Sequence, residues 1–332
     1  MSTPKPRPNL PFSKLIPIVV GAILGLFLRL VLFSGEPGSS RSAMASGFIW
    51  VSPFVMGAVT VFLAERQQRR SISYYLFAPM ATTALMVLGS LLILVEGLIC
   101  AILIVPVFSI MGAIGGLCMG LLCRLVGQPR NTTLHSLLAL PLLVVLLGGD
   151  GPGPERLGTV ERSLLIQASP AQVWGLINNI ADIRSEEVGH TWAAWIGVPQ
   201  PLAAATVMQG TQHVRQVRWD KGVHFDEVVQ QWDPERHLRW VFRFAPDSVP
   251  AGALDDHVRI GGAYFDLNDA AYTLTPEGQA VRLHLRISYR VSTDFNFYAN
   301  WLAQTLIGDF ADTMLHLYQH RAEGTDLAQV TP

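Results

Sequence analysis

Few residues in this chain combine the types and spacing that chemistry needs. Arg215 and Glu227 flank the turn Asp220-Lys221-Gly222, and a three-residue turn pairs Trp219 with Val223, Val217 with Phe225 and Arg215 with Glu227. The apolar neighbours direct that face inward. Arg215 and Glu227 then make a buried or half-buried ion pair, which either serves structure alone or meets a ligand carboxylate, phosphate or hydroxyl. A two-residue turn dissolves the pairing. Alternation places Tyr264, Asp266, Asn268, Ala270 and Tyr272 on one face of a second strand, where they orient a ligand if that face is inward. The opposite set, Phe265, Leu267 and Ala271, is also apolar, so either face can be the buried one. Asp312, His316 and His320 recur every four residues on a final helix, in the spacing of a metal stripe, but they lie opposite its buried face and read as a solvated edge. The sequence nominates no catalytic residue, metal or cofactor. The zinc-protease motif, the Gly-x-Ser-x-Gly elbow and a phosphate loop are all absent.

Composition bounds the setting. Half of the 332 residues are hydrophobic and 15% are charged, with a mean hydropathy of +0.34, too apolar for an ordinary soluble chain. A formal net charge of -1 supplies no basic field for nucleic acid, and none is expected as a partner. Cys100, Cys118 and Cys123 all fall in the apolar half and read as small membrane-buried residues.

Apolar runs at Leu15 to Phe33, Met44 to Ala64, Tyr74 to Val95 and Gly97 to Leu122 are long enough to cross about 30 Å of hydrocarbon. A shorter run at Thr133 to Gly149, interrupted by Pro141, is a fifth. Lys5, Arg7 and Lys14 precede the first run; Arg66, Arg69 and Arg70 follow the second; Arg124 and Arg130 follow the fourth. The alternate loops offer only Arg41. Basic loops stay cytoplasmic, so the N-terminus is expected inside and, after five spans, the C-terminal half outside the cytoplasm. A failure of the fifth span reverses that side. Arg29, near the outer end of the first run, fits less well and is expected to snorkel. Gly112, Gly116 and Gly120 line one face of the fourth run, and Gly21 and Gly25 one face of the first, for packing within the bundle or for a homo-oligomer. No span carries the acidic or histidine run of an ion path.

The Gly/Pro-rich stretch Gly148 to Gly158 reads as a tether between a helical domain over residues 1–147 and a second domain over 159–322, with a tail at 323–332. The second domain begins with a strand at Val160 to Gln167 and a short helix capped by Ser169 with Pro170 in its first turn. Strands follow at Thr211 to Trp219, Val223 to Trp232, Leu238 to Phe244, Tyr264 to Leu274 and Val281 to Val291. The last alternates strictly, with Val281, Leu283, Leu285, Ile287, Tyr289 and Val291 inward and Arg282, His284, Arg286, Ser288 and Arg290 outward. With Arg239 and Arg243, the outward arginines offer a basic face that is either solvated or suited to anionic headgroups. A long amphipathic helix from Phe295 to Ala322 closes the chain and is expected to bury Tyr298, Trp301, Leu302, Thr305, Leu306, Phe310, Met314 and Leu317.

The segments VERSLLIQASPAQVWGLINNIADI and VRQVRWDKGVHFDEVVQQWDPERHLRWVF, with the final helix, resemble the START-like, polyketide cyclase and lipid-transport superfamily (SRPBCC) over Thr159 to Ala322. The resemblance implies a helix-grip α+β fold, a curled antiparallel sheet around the C-terminal helix, with an apolar cavity between them. The membrane half is not covered by it. The expected ligand-pocket set is Arg215, Val217, Phe225, Glu227, Tyr264, Asp266, Tyr272, Leu285, Ile287, Tyr289, Trp301, Leu302, Leu306 and Phe310. The expectation is a membrane-anchored module binding a lipid or other hydrophobic molecule. An enzyme of cyclase or hydrolase type, with Arg215, Glu227, Asp266 and Tyr272 as its nominees, and a non-catalytic interaction module stay open as alternatives.

Overall fold

A computed structural model describes residues 15–37, 39–127, 131–148, 153–189, 191–254 and 259–324. Lys5, Arg7, Lys14, Arg130 and most of the tail lie outside them. The chain divides into two compact units, Met1–Pro152 and Gly153–Pro332.

The first unit is helical: α1 (Ile16–Phe27), α2 (Ser52–Gln67), α3 (Ile72–Leu92), α4 (Leu98–Val126) and α5 (Asn131–Leu147). A π-helical turn, Leu28–Leu32, extends α1, and another, Gly47–Val51, leads into α2. Three helical stretches among the described residues are long and apolar enough to cross a membrane: Gly47–Gln67, Ile72–Leu92 and Leu98–Val126. Ile16–Leu32 and Thr132–Leu147 are apolar but shorter, so three of the five expected spans reach full length here. Arg29 does not need to snorkel. Its Nε meets Glu96 at 2.6 Å and its Nη1 donates to the Phe33 carbonyl at 2.7 Å, which pairs the basic residue of the π-helical turn after α1 with the acidic residue between α3 and α4.

The glycine stripe of α4 is already occupied within the chain. A side chain at Gly116 would collide with Pro79 and the Tyr75 carbonyl, and one at Gly120 with the Tyr75 ring. Gly112 faces Thr83 and Pro79, so all three hold α4 against α3. Of the two uses expected for these glycines, packing within the bundle is the one seen here, against α3.

The second unit contains one eight-stranded antiparallel sheet in the order β1-β8-β7-β6-β5-β4-β3-β2. Its strands are β1 (Glu155–Ile166), β2 (Asn179–Ile180), β3 (Pro201–Gln209), β4 (Gln212–Trp219), β5 (His224–Asp233), β6 (His237–Arg243), β7 (Phe265–Glu277) and β8 (Ala280–Ser292). Three short helices, α6 (Pro170–Asn178), α7 (Ser185–Val188) and α8 (Trp192–Trp195), lie between β1 and β3, and α9 (Asn296–Glu323) ends the unit. Ser169 caps α6 through a reciprocal box with Gln172, which satisfies two otherwise unpaired N–H groups. β1 takes in Glu155 to Gly158, residues expected in the tether, because they pair edge to edge with Ser292 through Tyr289 of β8.

The sheet curls around α9. Contacts to the helix come from across its width: Arg162 of β1 to Asp312 at 3.0 Å, Tyr289 of β8 to the Asn300 side chain at 3.0 Å, and Trp219 of β4 to Phe310 with ring centroids 5.5 Å apart. The expected inward set of β8 is buried throughout. The helix, by contrast, presents a rotated face. Asn300, Ala303, Ile307, Ala311, Met314, Leu315, Leu317 and Tyr318 are buried, whereas Trp301 is 58% exposed and Leu302, Leu306 and Phe310 are only partly covered. The buried face combines small residues, Ala303 and Ala311, with large ones, Ile307, Met314, Leu317 and Tyr318, in one packed cluster with Leu285, Ile287 and Tyr289 of β8.

The C-terminal end of α9 is fixed by charge. Arg321 donates to both oxygens of Glu187 at 2.9 Å and to the carbonyls of Ala181 and Asp182. The Arg321 hydrogen bond holds the Glu187 carboxyl below the ordinary glutamate range, against the opposing effect of burial. A carboxyl whose folded value is depressed stabilises the fold above its unfolded value and loses that contribution as pH falls through the folded one. Glu187→Gln should therefore cost about 1–3 kcal/mol at pH 7. Denaturant unfolding of both proteins from pH 7 to pH 3 should show the difference shrinking with acid; a constant difference would mean that Glu187 acts through packing.

Candidate functional site

The site grows from one hairpin. β4 and β5 join through Asp220–Gly222, where Lys221 (φ 53°) and Gly222 (φ 76°) adopt the left-handed backbone that a three-residue connection requires. That turn fixes the register, pairing Val217 with Phe225 and Arg215 with Glu227. Both members of the ion pair are 5% exposed, and Arg215 Nη1 donates to Glu227 Oε2.

Three further aromatic groups close over the pair. Arg215 Nη2 lies 3.3 Å from the Tyr318 hydroxyl of α9, and the Tyr272 hydroxyl of β7 lies 3.4 Å from the same oxygen. The guanidinium sits 5.9 Å from the centre of the Trp240 ring of β6. Four strands and the closing helix thus meet at one polar cluster inside an otherwise apolar interior. One of its buried donors, Arg215 Nε, has no acceptor among the described residues, while the Trp240 ring N–H has the Glu227 carboxylate beside it. Burial pushes the Glu227 carboxyl above the ordinary glutamate range, against the opposing effects of the Arg215 charge and of hydrogen bonds from Arg215 and Trp240. Burial also raises the Tyr272 hydroxyl well above its ordinary value, so it is protonated and able to donate.

The other expected pocket residues are distributed unevenly. Val217, Phe225, Tyr264, Tyr272, Leu285, Ile287 and Tyr289 are buried. Asp266 is a correction. The pairing of β7 with β8 shifts between Leu267 and Asp269, and this bulge at Asn268 reverses the alternation. Phe265 and Leu267 pair with the inward Val291 and Tyr289, Asp266 pairs with the outward Arg290, and Ala270 and Tyr272 return to the interior. Asp266 is therefore removed from the polar cluster, and burial rather than a cluster partner raises its carboxyl. Trp301, Leu302 and Leu306 lie off the most buried face of α9, and Phe310, partly buried, packs against the core and the Trp219 ring.

Sequence reasoning missed Trp240 and Tyr318. Their strand and helix were expected, but the convergence of β6 and α9 on Arg215 had no local signal. The aromatic filling was also unannounced: Phe225, Phe242 and Phe244 have ring centroids 5.2 to 6.4 Å apart, and Trp219 packs against Phe225 at 5.4 Å.

Outside the sheet, the expected basic face is neutralised strand by strand. Arg282 pairs with Glu277 at 2.7 Å, Arg243 with Asp226 at 2.7 Å and Arg239 with Asp269 at 3.4 Å. Arg286 lies 3.6 Å from Glu161 and Arg290 3.8 Å from Glu155. Asp312 is engaged by Arg162, and no group of three metal-ligating side chains occurs among the described residues.

The class this geometry defines is an α+β helix-grip domain with a polar cluster between sheet and C-terminal helix. No family model matches the chain, and no curated protein does. Similar solved structures include a START superfamily protein from Mycobacterium smegmatis, 11% identical, covering 51% of this chain and 99% of that one, with a TM-score of 0.32. An aromatase/cyclase from a Streptomyces species is 12% identical over 51% of this chain and 94% of its own, with a TM-score of 0.31. A protein from Thermus thermophilus is 17% identical over 51% and 99%, with a TM-score of 0.32. None of these similarities assigns an activity to this chain.

Arg215→Met alone should destabilise the second unit by about 3–5 kcal/mol, since it leaves Glu227 buried without its partner, whereas Arg215→Met with Glu227→Met should recover a large part of the loss. Urea unfolding of the full chain in micelles, followed by near-ultraviolet circular dichroism, reads both. A single variant within about 1 kcal/mol of the parent, on the order of an exposed pair, would show that water reaches the cluster.

Proposed function

We propose that this protein is a membrane-anchored binding module that takes a hydrophobic molecule carrying at least one hydrogen-bond acceptor between the sheet and α9. The observation that carries the reading is the buried donor Arg215 Nε, left without an acceptor among the described residues beside the Arg215–Glu227 pair. Buried donors are costly when unfilled, and a ligand carbonyl, hydroxyl or carboxylate oxygen supplies what they lack. The buried Tyr272 and Tyr318 hydroxyls add two more polar contacts to an otherwise apolar lining. Val217, Phe225, Leu285 and Ile287 supply hydrocarbon contact.

The long apolar helices support the anchor. Arg124 of α4 donates to the Arg70 carbonyl at 3.3 Å, so the basic α2–α3 turn and the end of α4 share one end of the bundle. That agrees with the alternation expected for a cytoplasmic N-terminus; with five spans the second unit lies outside the cytoplasm. Anchoring suits the ligand, because hydrocarbon passing through water costs about 0.8 kcal/mol per CH₂ and a cavity held at the bilayer shortens the exposure.

A second reading, a non-catalytic interaction module, is favoured by the aromatic packing of Trp219, Phe225, Phe242, Phe244 and Phe310, which fills much of the interior. Catalysis draws less support, since the bulge at Asn268 takes Asp266 away from Glu227 and Tyr272.

Native mass spectrometry with organic extraction, on the full chain purified from its own membranes, distinguishes the readings. The expected result is a bound lipid-sized species, reduced at least tenfold by Leu285→Trp and by Arg215→Met. A chain free of such a species, with an unchanged melting temperature when membrane extract is added, favours the interaction module.

A further inference from the structure

Every strand pairing of the second unit is antiparallel, so the starts of β1, β7, β5 and β3 and the ends of β8, β6 and β4 share one end of the sheet. The first turn of α9 lies at the same end, where Asn296 Nδ2 donates to the Pro154 carbonyl and Ser292 Oγ to the Gly153 carbonyl at 2.9 Å. The segment after α8 is held there as well. Lys221 of the β4–β5 turn donates to the Gly197 carbonyl, and the Gln200 N–H donates to Asp220 at 2.8 Å.

Large apolar side chains are exposed at this end on three elements. Leu157 of β1, Trp192 and Trp195 of α8, and Phe297 and Trp301 of α9 are each between 58% and 70% exposed. The Tyr298 ring stacks on Trp301 with centroids 5.9 Å apart, and Trp192 and Trp195 meet edge to face at 5.9 Å. The opposite end of the sheet is built differently. Its β5–β6 turn carries Asp233, Glu235 and Arg236, and its β7–β8 turn pairs Glu277 with Arg282. Val207 and Met208 are the large apolar side chains exposed there among the described residues. Exposed aromatic groups gathered at one end mark an interaction surface.

Two observations identify what this surface meets. The chain enters the unit at this end, and only residues 148–152 separate Leu147, the last residue of α5, from Gly153. At about 3.3–3.6 Å per residue, the start of β1 therefore stays within roughly 20 Å of the end of an apolar helix. The charges at this end are of both signs, with Arg290 3.8 Å from Glu155 and His224 3.7 Å from Asp247, so no basic field selects anionic headgroups. Aromatic rings without a basic excess suit the interface of a bilayer, where they settle between headgroups and hydrocarbon.

We propose that this end of the second unit seats on the surface of the bilayer that anchors the chain, with Trp192, Trp195 and Trp301 in the headgroup layer. The inference rests on the membrane anchor of the reading above and is independent of its ligand.

The test uses the full chain, carrying Cys100→Ala, Cys118→Ala and Cys123→Ala, in phosphatidylcholine vesicles. A fluorescent label is placed in turn on Leu157→Cys, on Trp301→Cys and, at the opposite end, on Met208→Cys. Lipid with a shallow nitroxide should quench the first two labels several-fold more strongly than the third, and high salt should leave the quenching unchanged. Combining Trp192→Ser, Trp195→Ser and Trp301→Ser should cut the quenching at Leu157→Cys several-fold without lowering the melting temperature, because all three side chains are exposed. With the native cysteines kept, brominated phosphatidylcholine should likewise quench a larger fraction of the tryptophan fluorescence of the parent than of the triple variant, which covers a failure of the cysteine replacements to fold. Equal quenching at the two ends, loss of quenching with salt, or quenching that survives the triple variant would each overturn the docking. Carbonate extraction of the source membranes separates the two premises. A chain released by carbonate removes the membrane reading together with the docking, whereas a retained chain with no contrast between the ends removes the docking alone.

Discussion

The second unit depends on keeping the Arg215–Glu227 pair out of water. Two opposite charges in an apolar interior are tolerable only when both are held in register and their remaining hydrogen-bonding groups are met. The hairpin turn at Asp220–Gly222 supplies the register. Tyr318 supplies a partner from the closing helix, so α9 completes an electrostatic site as well as covering apolar surface. The cluster is incomplete among the described residues, because Arg215 Nε has no acceptor. An incomplete polar cluster in a packed interior is what a polar atom of a guest would finish.

The helical unit obeys the same constraint with other means. Glycines bring α4 against α3 closely enough for backbone and ring contacts, and the ionisable side chains within the apolar bundle meet partners, as Arg29 does with Glu96 and Glu65 with Tyr75. Arg70 differs, since its Nε and Nη2 have no acceptor among the described residues. Both units thus carry a buried guanidinium with donors unmet among the described residues.

Much of this was legible in the residues. The alternation of β8, the capped start of α6, the three-residue turn and the pairing of Arg215 with Glu227 all follow from short-range rules about side-chain period, caps and turns. β3 escaped because Ala203, Ala204 and Ala205 give neither β-branched content nor a clear alternation. The face of α9 was misjudged because large apolar residues were assigned to the interior by size, while the buried face holds Ala303 and Ala311 together with Ile307 and Met314 and leaves Trp301 exposed.

By itself, then, the sequence determined an apolar helical half, a sheet of antiparallel hairpins, a long closing helix and one charged pair across a turn. Each is a local property, set by residue period, length and turn chemistry. Tertiary structure alone decided which groups surround that pair. The bulge at Asn268 turned Asp266 outward, the curl of the sheet brought Trp240 and Tyr272 to the guanidinium, and the rotation of α9 delivered Tyr318 in place of Trp301. Such choices depend on volume and distance between elements far apart in the chain, and no window of neighbouring residues encodes them.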